Sequence, residues 1–389
     1  MNKPKIRFKG FEGEWKEIKL GEIFSVEIGE FVIKTKQKNN APYPVYNGGV
    51  SNTGFYDCYN QEGPKIIVSA RGANAGYVNY CTTDFWAGNS CYSIGAKNND
   101  ELKFFFYFLK RFQEIYMKNQ YSASIPSISK QQILRTNLMY PSLPEQRALA
   151  SYFTSLDAQI AASTSRLSSL KQIKAASLLN MFPQKGETVP RVRFKGFQGE
   201  WKEVKLSSIA IFSKGQGYSK SDLRENGHPI ILYGRMYTKY QFAINEVDTF
   251  SNLKGAYVLS EGNEIIMPAS GETPEDIACA SAVLAKGIIL GGDLNIVRFD
   301  LKKYSTPFLA LTITYSKTHY DLSKCAQGKS VVHLHNEAIS KTAVSIPSLP
   351  EQRAIASYFT ALDAQITLHR ERLEKLKQIK AACLERMFA

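Results

Sequence analysis

No apolar run in the chain approaches the ~18 residues that a membrane-spanning helix needs. The first residues, Met1-Asn2-Lys3-Pro4-Lys5, lack the apolar stretch of a signal peptide, so an intracellular, cytoplasmic location is expected. The six cysteines, Cys58, Cys81, Cys91, Cys279, Cys325 and Cys383, form no C-x-x-C pair and have no attendant histidine cluster. Neither a disulfide framework nor a zinc site is expected, only reduced and mostly buried thiols. The five histidines are scattered; His333 and His335 alternate as on a strand or loop edge, and His369 falls within a long apolar-periodic stretch. There is no G-x-x-x-x-G-K-[ST] phosphate loop and no Asn/Asp-Pro-Pro-Tyr/Phe motif for a flipped adenine. Gly215-Gln216-Gly217 lacks the third glycine of a dinucleotide fingerprint and reads as a turn. None of these motifs marks a catalytic, cofactor-binding or metal-binding residue. Acidic residues are also short, 35 Asp+Glu against 49 Lys+Arg, leaving a formal charge of +14. Such an excess points to a polyanionic partner, most often nucleic acid.

What the chain has in quantity is itself. Pro141-Ser142-Leu143-Pro144-Glu145-Gln146-Arg147-Ala148 begins a stretch running to Met181-Phe182, and the same eight residues begin another at Pro347 that runs to Met387-Phe388. A shift of 206 positions overlays the two without a gap, and most residues are identical. Pro4-Lys5-Ile6-Arg7-Phe8-Lys9-Gly10-Phe11-Glu12-Gly13-Glu14-Trp15 likewise returns from Pro190 to Trp201, this time shifted by 186. The plan is lead-in, insert, long helix and short linker, twice, with the second insert 20 residues longer, the difference between 206 and 186. The inserts, roughly 21–140 and 207–346, barely match. A constant frame around divergent inserts suggests one task performed on two targets.

Each insert reads as mixed β with short helices. Pro64 to Ala70 is a buried-strand run closed by the turn Arg71-Gly72-Ala73-Asn74-Ala75-Gly76, and Tyr43 to Val50 looks like a strand entering an Asn-Gly turn. Leu102 to Met117 has helical, aromatic-rich spacing. The second insert repeats the order with Ile230–Arg235, Glu264–Gly271 and a helix from Thr306 to Tyr320.

The long stretches carry a heptad seam. Leu149, Phe153, Leu156, Ile160, Ser163, Leu167, Leu170, Lys174 and Ser177 follow at alternating steps of 4 and 3, matched by Ile355, Phe359, Leu362, Ile366, His369, Leu373, Leu376, Lys380 and Cys383. At ~1.5 Å per residue each helix would reach ~57 Å. The linker from Pro183 to Pro190 spans at most ~28 Å, too short to bring the second lead-in back along a parallel partner. An antiparallel pair is expected, with pseudo-twofold symmetry and one globular domain at each end. The expected divisions are 1–140, first recognition domain; 141–182, first helix; 183–190, linker; 191–346, second recognition domain; 347–389, second helix. At ~3.4 Å per base pair such a rod bounds a bipartite, asymmetric DNA site at roughly 17 base pairs.

The two lead-ins ending in Gly-Glu-Trp (Trp15, Trp201), the two Pro-Ser-Leu-Pro-Glu-Gln-Arg-Ala helix starts and the two long helices together resemble the specificity subunit of type I restriction–modification enzymes, the HsdS family, over essentially the whole chain. The resemblance implies a non-catalytic subunit with two target-recognition domains. It implies that the helices space those domains and recruit two modification subunits, which carry S-adenosylmethionine and methylate adenine at N6. Restriction subunits would join to cut unmodified DNA with ATP and Mg. The alternatives are a bipartite DNA-binding scaffold without a methyltransferase, and a self-sufficient nuclease or methyltransferase, which the missing motifs disfavour. Identical outward positions such as Gln159/Gln365, Lys171/Lys377 and Gln172/Gln378 favour two identical partners over a bare scaffold.

Readout of bases requires Arg, Lys, Asn and Gln at base edges, with Ser, Lys and backbone N–H groups at phosphates. In the first insert the candidates are Lys34, Lys36, Lys38, Asn39, Asn40, Arg71, Asn74, Gln120, Tyr121, Ser122 and Ser124. In the second they are Lys214, Gln216, Tyr218, Ser219, Lys220, Arg235, Tyr237, Lys239, Ser270, Gln327, Lys329 and Ser330.

Overall fold

The structure, a computed structural model, describes residues 3–97, 101–118 and 125–388. The chain divides into two compact units. One comprises Met1–Ser165 with Glu371–Ala389, the other Arg166–Arg370, so each contains parts of both long helices.

In the first unit the run Ile66-Ile67-Val68 is buried because its strand, Lys65–Ser69, is central and covered on both faces. The antiparallel order is Phe24–Ile28, Cys91–Ala96, Lys65–Ser69, Val78–Cys81. The aromatic helix, Leu102–Lys118, supplies the buried rings of Phe104, Phe105 and Phe108, with Phe105 meeting Phe24 edge-on at 4.9 Å. A smaller sheet holds Gly54–Tyr56, Tyr43–Tyr46 and Trp86–Ala87. Lys16–Lys19 pairs antiparallel with Asn137–Tyr140, tying the lead-in to the end of the insert.

The second unit repeats this with larger sheets. One runs Ala210–Lys214, Leu294–Phe299, Glu264–Pro268, Ser281–Val283, Ala243–Ile244; the other runs Leu223–Arg224, Phe250–Ser251, His228–Ile231, Lys286–Leu290, Leu259–Glu261. Lys202–Lys205 pairs with Ala343–Ile346 as its counterpart does.

Three local expectations need correction. The helix read from Thr306 to Tyr320 is two helices, Thr306–Tyr315 and Lys317–Cys325. Ser316 lies extended between them, and its hydroxyl accepts from the Thr318 N–H at 3.1 Å, capping the second. The Tyr43 strand stops at Tyr46, and its antiparallel partner begins only at Gly54, so Asn47-Gly48 is not a two-residue hairpin turn. The thiols are less buried than expected: all six are free, but only Cys81 and Cys91 are buried, while Cys58 and Cys325 are exposed.

The long helices are Leu143–Asn180 and Leu349–Arg386, 38 residues each. Within each unit their segments pack antiparallel in one register. In the first, Phe153 stacks on Phe388 at 5.4 Å, Tyr152 meets Cys383 at 3.4 Å, and Lys380 donates to Asp157 at 2.5 Å. In the second, Phe359 stacks on Phe182 at 5.9 Å, Tyr358 meets Ser177 at 2.9 Å, and Lys174 donates to Asp363 at 2.5 Å. Rising numbers on one helix meet falling numbers on the other, as antiparallel packing demands. Leu149, Phe153, Leu156, Leu167 and Leu170 are buried on the first helix, as are Ile355, Phe359, Leu362, Ile366 and Leu373 on the second. The intervening Gln159, Gln365, Lys171, Lys377, Gln172 and Gln378 are exposed.

The repeated helix start has a structural reason. Arg7 forks onto Glu145 with two bonds of 2.7 Å from Nε and Nη2, while Nη2 also donates to the Glu12 carbonyl and Nη1 to that of Gly13. Arg193 does the same to Glu351, Gly199 and Gln198. Gln146 donates to the Pro141 carbonyl and accepts from the Glu101 N–H; Gln352 repeats this with Pro347 and Ser305. One motif thus locks lead-in, insert and helix together in each unit.

Candidate nucleic-acid interface

The ends of the insert strands gather a connected group of loops in each unit. In the first, Glu30 N–H donates to the Ala87 carbonyl, and Gly88 N–H to that of Tyr46. The Asn47 amide oxygen accepts from Ser90, and Ala70 N–H donates to the Ser90 carbonyl. Gly72 N–H reaches the Pro126 carbonyl, and Arg71 forms a bridge to Ser127. The turns at 29–36, 47–49, 71–76, 87–90 and 125–128 are therefore one neighbourhood. The second unit builds its equivalent from 215–222, 231–237, 269–271, 291–293 and 327–335. Gly292 N–H donates to Gly217, Ala269 to Asp293 and Leu334 to Ala269, while Ser270–Gly271 pairs with Val332–His333.

Several candidate residues sit on these loops with exposed side chains: Lys34, Lys36 and Arg71 in the first unit, with Asn74 half-buried, while Asn39 and Asn40 are exposed just beyond the first turn. Lys214, Gln216, Ser219, Lys220, Gln327, Lys329 and Ser330 are exposed in the second. Lys38 is exposed but engaged, pairing with Asp57 at 2.5 Å and holding that carboxyl below the usual range. Lys239 pairs likewise with Asp248. Tyr237 donates to the Ser270 carbonyl at 2.8 Å, and the Ser270 hydroxyl meets the His333 ring at 3.2 Å, so both tie the loop cluster together at its surface. Gln120, Tyr121, Ser122 and Ser124 lie outside the described residues.

Two candidates are placed inside instead, and the expectation for them is corrected. Tyr218 is buried against Ile230 and Ile289, with its hydroxyl bonded to the Lys254 backbone. Arg235 is buried, and its guanidinium is committed to Asp248 at 2.5 Å and Gln241 at 3.0 Å. Lys239 first and Arg235 second hold the Asp248 carboxyl far below its ordinary range. Either side chain would have to abandon these partners to reach a base, so both support the loops. The signal available for Arg235 was Asp248 thirteen residues on, but sequence alone does not show which acid closes on which base.

Sequence reasoning also passed over the apolar residues of the first turn. Phe31 is 72 % exposed and Ile33 40 %, on either side of buried Val32.

Among the described residues there is no cluster of three or more metal-ligating side chains, and no helix is long and apolar enough to cross a membrane.

A duplicated α/β scaffold with two related loop clusters of different surface is the form of a protein that carries two variations of one recognition surface. The sequence profile of the type I restriction modification DNA specificity domain matches residues 12–172 and again 198–378, and the chain belongs to that family. Over 331 residues the chain is 21 % identical to the type I restriction enzyme MjaVIII specificity subunit of Methanocaldococcus jannaschii, covering 81 % of this chain and 76 % of that one. It is 25 % identical over 189 residues to a Mycoplasma genitalium protein named "Putative type I specificity subunit"; that match spans 48 % of this chain and about half, 49 %, of the relative. The fold is shared with the crystal structure of a type I restriction–modification S subunit from M. genitalium, at a TM-score of 0.68 and 18 % identity, covering 100 % of this chain and 99 % of that one.

Proposed function

We propose that the chain selects the DNA sequence on which a type I restriction–modification assembly acts, reading an asymmetric, bipartite site with one insert per half. The observation that carries this reading is the contrast between frame and insert. The Arg7–Glu145 and Arg193–Glu351 locks are the same, while the loops they support differ in nearly every side chain. The recognition domains are taken as 1–140 and 191–346, and the helices 141–182 and 347–389, joined by 183–190, set the unread gap between half-sites.

Lys34, Lys36, Arg71, Lys214, Gln216 and Lys220 are the exposed side chains best suited to phosphates and base edges. The exposed, repeated Gln159/Gln365, Lys171/Lys377 and Gln172/Gln378 offer the same surface twice, which suits two copies of one modification subunit. On this reading the chain performs no chemistry. S-adenosylmethionine belongs to the modification subunits, which methylate adenine at N6, and ATP and Mg to restriction subunits.

Co-expression with a cognate modification subunit tests this. The expected product is a stable complex with two modification subunits per chain that methylates a split sequence. Failure to associate would overturn it and leave a DNA-binding scaffold.

A further inference from the structure

The turn after the first strand of each insert is built on one skeleton. Gly29 and Gly215 each press against the backbone of a neighbouring loop, Ala87 and Gly88 in one unit and Gly291 in the other, with no room for a side chain. Three residues later Val32 and Tyr218 are buried as anchors, and two after that a short 3-10 turn begins, at Lys34 and at Lys220. The residues flanking the anchor differ in kind. In the second unit they are Gly217, at φ 61°, and Ser219. In the first they are Phe31 and Ile33, 72 % and 40 % exposed.

Nothing about the turn suggests that these apolar side chains are loosely placed. The Tyr56 hydroxyl accepts from the Ile33 N–H at 2.7 Å and meets the Ile33 carbonyl at 2.8 Å, pinning the backbone from both sides. Tyr56 itself is buried with Val32 and Val45. A pinned backbone with an inward anchor fixes its neighbours outward. Lys34 and Lys36 follow at once, both exposed, so cations stand on the C-terminal side of the apolar tip, with the exposed Glu30 on the other. An exposed aromatic ring on a turn whose backbone is pinned, beside phosphate-seeking lysines, has the chemistry of a side chain that packs against bases while its neighbours hold the backbone.

We propose that Phe31 is an aromatic wedge that packs against the bases of duplex DNA within the half-site read by the first unit, with Lys34 and Lys36 on the adjoining phosphates. The matching turn of the second unit, 215–222, carries no exposed aromatic ring, its one aromatic, Tyr218, being buried. The inference rests on the DNA-reading function proposed above and adds an asymmetry to it: the two half-sites are engaged differently, one with base unstacking and one without.

The test uses the full chain in complex with its modification subunits and a duplex bearing the split sequence found by mapping methylated adenines. Permanganate reactivity of thymines, or fluorescence of 2-aminopurine placed at successive positions, reports unstacking along the site. At positions away from the adenines that the modification subunits methylate and extrude, the wild-type complex should show enhanced signal in one half-site only. Phe31→Ala should abolish it and weaken binding about tenfold, within the range of base–aromatic stacking, while Phe31→Trp retains both. Tyr56→Phe, which removes the pin but keeps the ring, should lower the signal without removing it. An unchanged signal and affinity in Phe31→Ala, with the variant folded as judged by its melting curve, would overturn the proposal. Loss of modification-subunit binding with DNA binding intact would also overturn it, assigning the tip to a protein partner. If the wild-type complex binds no DNA, the parent reading fails instead.

Discussion

Arg7 and Arg193 stand 186 residues apart in nearly identical lead-ins, and each makes the same fork onto a buried glutamate and the same two carbonyl contacts. The turns at 29–36 and 215–222 stand at the same separation and share a glycine, an anchor and a short helix, yet present Phe31 and Ile33 in one unit and Gly217 and Ser219 in the other. Side chains that close the frame are held by several partners at once, so a change at one costs the whole lock. Exposed side chains on the loops, such as Phe31, Lys34 and Lys220, close no such lock. The sharpest way to break this comparison is to exchange residues 21–140 for the insert of another family member. Methylation mapping should then show one half of the recognised sequence replaced and the other untouched; a change in both halves would mean the frame takes part in reading.

The frame's half of the comparison can be tested by stability. Glu145 and Glu351 are 2 % and 1 % exposed, and removing one partner of a buried pair costs about 3–5 kcal/mol. Arg7 and Arg193 retain 17 % exposure, which places the expected loss near the lower end. Glu145→Ala and Glu351→Ala should therefore destabilise their units by similar amounts in denaturant titrations followed by hydrogen exchange, which assigns each loss to its unit. A large loss in one and none in the other would show that identical sequence does not carry identical energy.

Arginine supplies the next contrast. Arg71 is exposed on its turn, and Arg235 is buried between Asp248 and Gln241. Arg71→Ala should cost about 1–3 kcal/mol of binding and relax the sequence requirement at one position if it reads a base, or weaken all sequences alike if it holds a phosphate. Arg235→Ala should instead lower the melting temperature and leave the sequence requirement of the first half-site intact. A variant at 235 that relaxes a single position without losing stability would return that residue to the interface.

The frame was legible in the sequence because duplication and heptads are periodic signals, and both depend on which residues repeat rather than on how they pack. Linker length then selected antiparallel pairing, and the Lys380–Asp157 and Lys174–Asp363 bonds carry it out. The loop surfaces were legible only as groups. Whether an arginine faces out or folds back depends on a partner such as Asp248, whose approach is set by tertiary packing. The break at Ser316 escaped for a related reason: a serine fits a helix interior tolerably and an N-cap well, and only its φ of -110° with extended ψ separates the two. Phe31 escaped because an aromatic within Phe-Val-Ile reads as core by composition, and its exposure follows from the pin that Tyr56 places on Ile33.

The smallest expected effect lies where the two insert helices serve the same strand by different means. In the second unit the Thr314 hydroxyl accepts from the Ala280 N–H at 3.0 Å. In the first, Lys110 donates to the Val78 carbonyl and to Gln113, whose amide oxygen accepts from the Val78 N–H, and the ammonium lies 3.9 Å from the Tyr77 ring centre. Burial, with the nearby Lys380, lowers the Lys110 pKa to about 8, and Asp157 opposes the shift. A lysine with its folded pKa depressed binds fewer protons folded than unfolded between that value and its ordinary pKa near 10.4. The stability of the first unit should therefore rise as pH increases from about 8 toward 10, and be flat in this contribution below. Lys110→Met should flatten the rise in a pH series of denaturant midpoints, and Thr314→Val in the second unit should leave it in place. A rise that survives Lys110→Met would have to come from another group, and the two helices would then be electrostatically alike.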